Sequence, residues 1–203
     1  EGGTLKTSIR TTEVPENTTL YWSLSGDGIN SDDIVGGILE GSGKVKKGIL
    51  NLSHKLDKDL ITEGDETLKI KLFKDAERTE QVGDTKEITI EDVIPTYSVK
   101  PSTSSIAEGG TLKTFIKTTE VPSNTILYWS LSGDGIDSND LIRSDLTGAA
   151  KVINGQSSLS HKLNKDLITE GDETLKIKLF KDAERTEQVG DTKEITILDV
   201  IPT

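Results

Sequence analysis

The sequence predicts an all-β chain of two tandem sandwiches, and three observations carry that expectation. Residues 1–96 recur as residues 108–203 at a constant offset of 107, and a period of that size is one small domain. Leu68, Ile70 and Leu72 alternate with Lys69 and Lys71, the two-residue period of a half-buried strand. Leu175, Ile177 and Leu179 repeat the same alternation, and no segment sustains a helical period.

Taken in order, Leu5–Ile9, Leu20–Leu24, Ile49–Leu52, Leu68–Leu72 and Glu87–Ile90 are short β-rich segments separated by Gly, Asp, Asn and Pro. A further short strand is expected near Gly36–Leu39. Tyr97–Ala107 reads as a first strand leading into the second Glu-Gly-Gly, and the first copy has no counterpart to it. The unit then has about seven strands in about 100 residues, as an immunoglobulin-like sandwich does. Residues 1–96 form a first repeat lacking its first strand, and 97–203 form a complete second repeat. Trp22 and Trp129 are expected to pack the two sheets of each unit together.

Composition narrows the function classes. Hydrophobic residues make up 32% and aromatics 4% of the chain, so the cores are expected to be thin. The net charge of −11 repels nucleic acid and anionic lipid and attracts cations, so no nucleic-acid partner is expected. There is no cysteine, which removes disulfides, thiolate metal sites and cysteine catalysis. No apolar run approaches the ~18 residues needed to span a bilayer, so no membrane insertion is expected in this segment. The chain has no methionine, and its first copy starts out of phase with the second. From both features the chain is expected to be a window on a longer array.

The chemistry is acidic. Four groups of carboxylates recur: Glu1/Glu108 before Gly-Gly, Asp33/Asp140 after the Ser-Gly-Asp-Gly loop, Asp59, Glu63, Asp65 and Glu66 with Asp166, Glu170, Asp172 and Glu173, and Asp92/Asp199. In a sandwich the turn before Leu68 and the loop after Leu24 share one pole. A hard cation such as Ca²⁺ takes about six to eight oxygens, which carboxylates from several loops supply with carbonyls and water. Acidic turn residues also cap and solvate loops, so both readings stand at this level.

Asp59-x-x-x-Glu63-Gly64-Asp65-Glu66-Thr67-x-x-Ile70-x-Leu72 resembles the signature of the Calx-beta family, and Glu1-Gly2 and Glu108-Gly109 resemble its early Glu-Gly element. The resemblance covers most of each repeat. It implies immunoglobulin-like sandwiches, of the kind found in sodium–calcium exchangers and bacterial surface proteins, some of which bind Ca²⁺ at one end through acidic loops. Position by position it implies Glu1, Asp33, Asp59, Glu63 and Glu66 as ligands in the first copy, with Asp92 at the junction. In the second copy it implies Glu108, Asp140, Asp166, Glu170 and Glu173, with Asp199 at the exit. Ile34 and Leu141 stand where the family often has an aromatic. Leu20–Gly26 and Thr67–Asp75 also resemble repeats in giant surface proteins of marine bacteria, notably cyanobacteria.

Other matches fail. Gly41-Ser42-Gly43-Lys44 has Val45 where a phosphate loop needs Ser or Thr, and the second copy reads Gly148-Ala149-Ala150-Lys151, so a turn is expected. His54 and His161 have neither cysteine nor a nucleophile elbow nearby and read as strand residues. Asp27–Asp32 lacks the ligand alternation and sixth-position glycine of an EF-hand.

The expected function is therefore structural, not enzymatic: a module of a long extracellular or cell-surface repeat array, such as an adhesin stalk or surface filament, rigidified by calcium at module ends. Its partners are neighbouring repeats, with strand-donated or filamentous self-assembly as a variant. The alternatives are an adhesive ligand- or glycan-binding module, with its contact in the divergent stretches Ile34–Ser53 and Leu141–Ser160, or a virion fibre component.

Overall fold

The computed structural model describes residues 1–58, 60, 62–142, 145–165, 169 and 171–200. The chain divides into two compact units, Glu1–Ile94 and Pro95–Thr203. Thr96 opens a strand of the second unit, so the second unit takes in the Pro95-Thr96 pair.

Unit 1 contains β1 (Thr4–Arg10), β2 (Thr19–Asp27), β3 (Glu40–Lys44), β4 (Ile49–Lys55), β5 (Glu66–Phe73) and β6 (Gln81–Ile90). One sheet runs β3-β2-β5-β6 and the other is the pair β1-β4. Strict alternation decides which side chains face inward. Leu20, Trp22 and Leu24 of β2, Leu50 and Leu52 of β4, and Leu68 and Ile70 of β5 are buried, while their sequence neighbours on the strands are more exposed. Each fully buried Leu or Ile of this kind stabilises a sandwich by about 1.5–3 kcal/mol.

Unit 2 contains β7 (Thr96–Pro101), β8 (Ser105–Ala107), β9 (Thr111–Thr119), β10 (Ile126–Ser132), β11 (Thr147–Lys151), β12 (Gln156–Lys162), β13 (Glu173–Phe180) and β14 (Gln188–Leu198). Its sheets are β11-β10-β13-β14-β8 and β12-β9-β7. The core repeats that of unit 1, with Leu127, Trp129, Leu131, Leu175 and Ile177 at the corresponding places.

Three expectations need correction. The strand placed near Gly36–Leu39 is β3, and it lies at Glu40–Lys44. The Gly41–Lys44 segment is therefore strand and not a turn. Gly41 pairs with Trp22 in the ladder, and a Cβ on it would stand 2.7 Å from Trp22 Cε2. Gly41 makes room for the indole, and Gly43 makes room for Leu50. Tyr97–Ala107 is not one strand either. It breaks at Ser102, so that β7 pairs antiparallel with β9 in one sheet and β8 pairs parallel with β14 in the other.

The histidines are strand residues facing inward. His54 and His161 are buried, each edge-on to a tryptophan, with centroids 4.5 Å apart for Trp22 and His54 and 4.6 Å apart for Trp129 and His161. No helix among the described residues is long and apolar enough to cross a membrane.

Candidate metal centre

At one pole of unit 1 the chain gathers acids from four places. A 3-10 turn, Ser31–Asp33, follows β2, and Asn30 caps it by accepting from the Asp32 N–H at 2.8 Å. Asp33 closes the box in return, its Oδ2 accepting from the Asn30 N–H at 2.6 Å. The carbonyl of Asp33 accepts from Asp57 N–H at 2.8 Å, and the Asp57 carbonyl accepts from Gly2 N–H at 2.9 Å. That backbone chain fixes the turn, the end of β4 and the Glu1-Gly2 segment side by side. Glu66 enters from the first position of β5. Gly28, at φ +83°, leaves room for it, since a Cβ there would stand 3.2 Å from the Glu66 carboxyl carbon.

The result is a small recess lined by Glu1, Asp32, Asp33, Asp57 and Glu66, floored by Leu56 and Ile90. Asp33, Glu63 and Glu66 bring one carboxylate oxygen each within 4.8 Å of one another. Asp92 bonds to Gly64 and Asp65, the two residues between Glu63 and Glu66. Its Oδ2 accepts from Gly64 N–H at 3.0 Å, and its own N–H donates to Asp65 Oδ1 at 3.1 Å. Asp92 Oδ1 is buried without a hydrogen-bond partner.

Unit 2 builds the same pole. Asp137 caps the 3-10 turn Ser138–Asp140, Asp140 Oδ2 accepts from the Asp137 N–H at 2.6 Å, and Asn164 N–H donates to the Asp140 carbonyl at 2.8 Å. Glu108, Asp140, Asn164 and Glu173 line the recess over Leu163 and Ile197. Asp199 repeats the role of Asp92: its Oδ2 accepts from Gly171 N–H at 3.1 Å, and its Oδ1 is buried without a partner.

Of the residues singled out from sequence, Glu1, Asp33, Glu63 and Glu66 meet at the pole of unit 1, and Glu108, Asp140 and Glu173 meet at that of unit 2. Asp92 and Asp199 are held by the adjoining turn. Asp59, Asp166 and Glu170 lie outside the described residues. Sequence reasoning passed over Asp32 and Asp57, which also line the unit 1 recess. Their counterparts are Asn139 and Asn164, so a search for acids present in both copies discards them.

The donor set suits a hard cation. Every side chain that closes on the unit 1 recess, apart from its apolar floor, offers carboxylate oxygen, with no sulfur or imidazole among them, which favours Ca²⁺ over softer metals. The orphaned buried oxygen of Asp92 is a further acceptor lacking a partner. Glu1, Asp33, Glu63 and Glu66 are the residues that would hold the ion, with Asp32 and Asp57 adding charge.

No protein-family model and no curated protein matches the chain. Among solved structures it is similar to the calcium binding domain CBD12 of CALX1.1, at 13% identity and a TM-score of 0.37, over 97% of this chain and 93% of that one. It is similar to the adhesin InvE of Yersinia pseudotuberculosis, at 12% identity and a TM-score of 0.37, over 96% of this chain and 48% of that one. The titin domains z1z2 in complex with telethonin align at 12% identity and a TM-score of 0.39, over 100% and 91%.

Proposed function

We propose that the chain is a structural segment of an extracellular repeat array, an adhesin stalk or surface filament whose units are each stiffened by Ca²⁺ at the acidic pole. The observation that carries this reading is the repetition of the pole itself. Glu1, Asp33 and Glu66 recur as Glu108, Asp140 and Glu173 in the same recess of each unit. A private binding or catalytic site has no need to be built twice. The two histidines are buried against tryptophans and serve the cores. The resemblance of the Asp59–Leu72 motif to the Calx-beta signature supports the same reading.

In such a module the carboxylates repel one another until a cation neutralises them, and binding then adds stability by mass action. At tenfold over its dissociation constant one ion contributes about 1.4 kcal/mol. The test is thermal melting of the chain in Ca²⁺ and in chelator, together with single-molecule stretching under both conditions. A higher melting temperature and a higher unfolding force in Ca²⁺ are expected. Identical curves in both would remove calcium from the proposal, and unfolding at negligible force in both would remove the load-carrying role.

A second reading, as an adhesive module, is favoured by one observation. Val35, Ile38 and Ile142 are exposed apolar side chains, 46%, 59% and 41% accessible, in the stretch where the copies differ. Binding to a surface or glycan that is lost on replacing Val35 and Ile38 by serine would support it.

A further inference from the structure

The outer face of the β12-β9-β7 sheet departs in charge from the rest of the chain. The sequence has 35 acidic residues against 24 lysines and arginines. The exposed positions of these three strands nevertheless hold Lys100, Lys113, Lys117 and Lys162 and no Asp or Glu. Apart from Gln156 and Phe115, the other exposed positions are Ser or Thr. In the opposite sheet and its hairpin Lys176 pairs with Glu194 at 3.5 Å and Lys181 with Glu187 at 2.6 Å. Lys100, Lys113 and Lys117 form no ion pair among the described residues.

The face has a centre. β9 lies between β12 and β7, and its Phe115 points outward, 52% exposed, opposite Ser158 on one neighbour and Lys100 on the other. Lys113 and Lys117 flank Phe115 on β9, about 14 Å apart along the strand. The basic positions are a property of the repeat, since Lys113, Lys117 and Lys162 correspond to Lys6, Arg10 and Lys55 on β1 and β4. The ring is private to unit 2, where Phe115 replaces Ser8.

We propose that this face of unit 2 binds a polyuronate, a polysaccharide with about one carboxylate per sugar, laid along β9 with one ring over Phe115. Lysine ammoniums are point charges that pair with carboxylates without fixed geometry, and Ser and Thr hydroxyls both donate to and accept from sugar hydroxyls. Phe115 offers an apolar surface to the C–H face of a sugar ring. An extended peptide fits less well, because β9 is paired on both sides and has no free backbone groups to offer it. A nucleic acid strand stacks successive bases on successive aromatics, and this face has one. A two-fold dimer through the face would set lysines against lysines. The net charge of −11 opposes any polyanion, but it is screened beyond about 8 Å at physiological salt, so the local charge of the face decides. Spread lysines suit a chain of low charge density better than a densely sulfated one. The proposal is independent of the calcium reading and stands whether or not the pole holds an ion.

The test is calorimetric titration of the chain with a short oligogalacturonate in chelator, with amide shifts in NMR locating the contact. Saturable binding with a dissociation constant of about 1 mM or below is expected, with shifts confined to β7, β9 and β12 and affinity falling as salt is raised. A neutral malto-oligosaccharide of the same length should not bind. Lys113→Gln with Lys117→Gln should weaken binding by about tenfold. Phe115→Ser, which places in unit 2 the residue unit 1 already carries, should weaken it by about fivefold or more with the melting temperature unchanged. Absence of saturation, equal binding of the neutral sugar, or indifference to either variant would overturn the proposal. Tighter binding of dextran sulfate that ignores Phe115→Ser would reduce the face to an ion exchanger, and tighter binding of an oligothymidylate that needs Phe115 would reassign it to nucleic acid. Self-association in sedimentation, lost in the double lysine variant, would reassign it to a second copy of the chain.

Discussion

Trp129 lies so close over Gly148 that a Cβ on the glycine would stand 2.7 Å from the indole Cε2, and Trp22 stands in the same relation to Gly41. Both tryptophans are core residues, 9% and 8% exposed, and each is held on its other side by a histidine. Gly148→Ala is therefore expected to lower the stability of unit 2 by about 1–3 kcal/mol, the usual cost of overpacking a core. Denaturant unfolding followed by the fluorescence of Trp129, with Trp22 replaced by Phe, checks this. A variant as stable as its parent would show that the indole shifts freely.

His161 predicts a pH dependence. Burial holds its imidazole below the ordinary value of 6.5, and the same cause acts on His54. Nδ1 of each ring is buried without a hydrogen-bond partner, so a proton gained there would have no acceptor. The sign follows from linkage: above about pH 7 both states are neutral and the histidines contribute nothing pH-dependent. As pH falls below 6.5 the unfolded chain takes up protons that the folded chain refuses, and stability declines until the folded-state value is passed. Replacing His161 by Phe, which keeps an aromatic ring against Trp129, should flatten the decline in unit 2 between pH 7 and 5. An unchanged slope would assign the decline to other groups.

The sandwich was readable because a strand buried on one face writes its orientation into every second residue, as Leu68, Ile70 and Leu72 do. The register of β3 was not readable, because Gly41 makes room for Trp22 on the neighbouring strand and Gly43 for Leu50 on the facing sheet, and local sequence cannot tell that use of glycine from a turn. The break in the first strand at Ser102 was hidden for a related reason: Val99 and Ile106 both point inward, but into different sheets. At the pole, Glu1, Asp33 and Glu66 stood out because they recur. Asp32 and Asp57 were hidden by the same filter, since an amide replaces each in the second copy and keeps the oxygen while losing the charge.

The β13–β14 hairpin depends on one carboxylate. Asp182 Oδ2 accepts from the Thr186 N–H at 2.9 Å and from its hydroxyl at 2.9 Å, while Oδ1 accepts from Glu187 N–H at 2.8 Å. These bonds, that from the Thr186 backbone foremost, hold the Asp182 carboxyl below its usual range. They also present Arg185, at φ +58°, whose Nε donates to the Trp129 carbonyl at 3.2 Å. A lowered carboxylate contributes stability above the ordinary aspartate range near 3.8 and loses it as pH falls through the folded value. Asp182→Asn should therefore lower the melting temperature of unit 2 at pH 6, and the gap to the parent should close below pH 4. A gap that persists in acid would mean the amide disrupts the turn for steric reasons.

The two poles differ in charge, and that difference predicts unequal affinity. The unit 1 recess carries Asp32 and Asp57, whereas unit 2 has Asn139 and Asn164 at those positions. Ligand charge count sets the affinity of oxygen sites for Ca²⁺, because each carboxylate adds attraction that a neutral amide oxygen does not. Unit 1 is expected to take up Ca²⁺ first, and Asp32→Asn with Asp57→Asn should weaken it by roughly tenfold, toward the affinity of unit 2. Neither substitution removes a bond that shapes the pole: Asp32 acts there through its N–H, and Asp57 through its N–H, its carbonyl and an Oδ1 that accepts from the Lys58 N–H at 2.9 Å, a bond an asparagine keeps as Asn164 does with the Lys165 N–H. Calorimetric titration of parent and double variant measures the two events separately. The converse variant, Asn139→Asp with Asn164→Asp, should raise the affinity of unit 2. Two sites that bind equally in the parent, and do not respond to either exchange, would show that Asp32 and Asp57 serve only to solvate the turn.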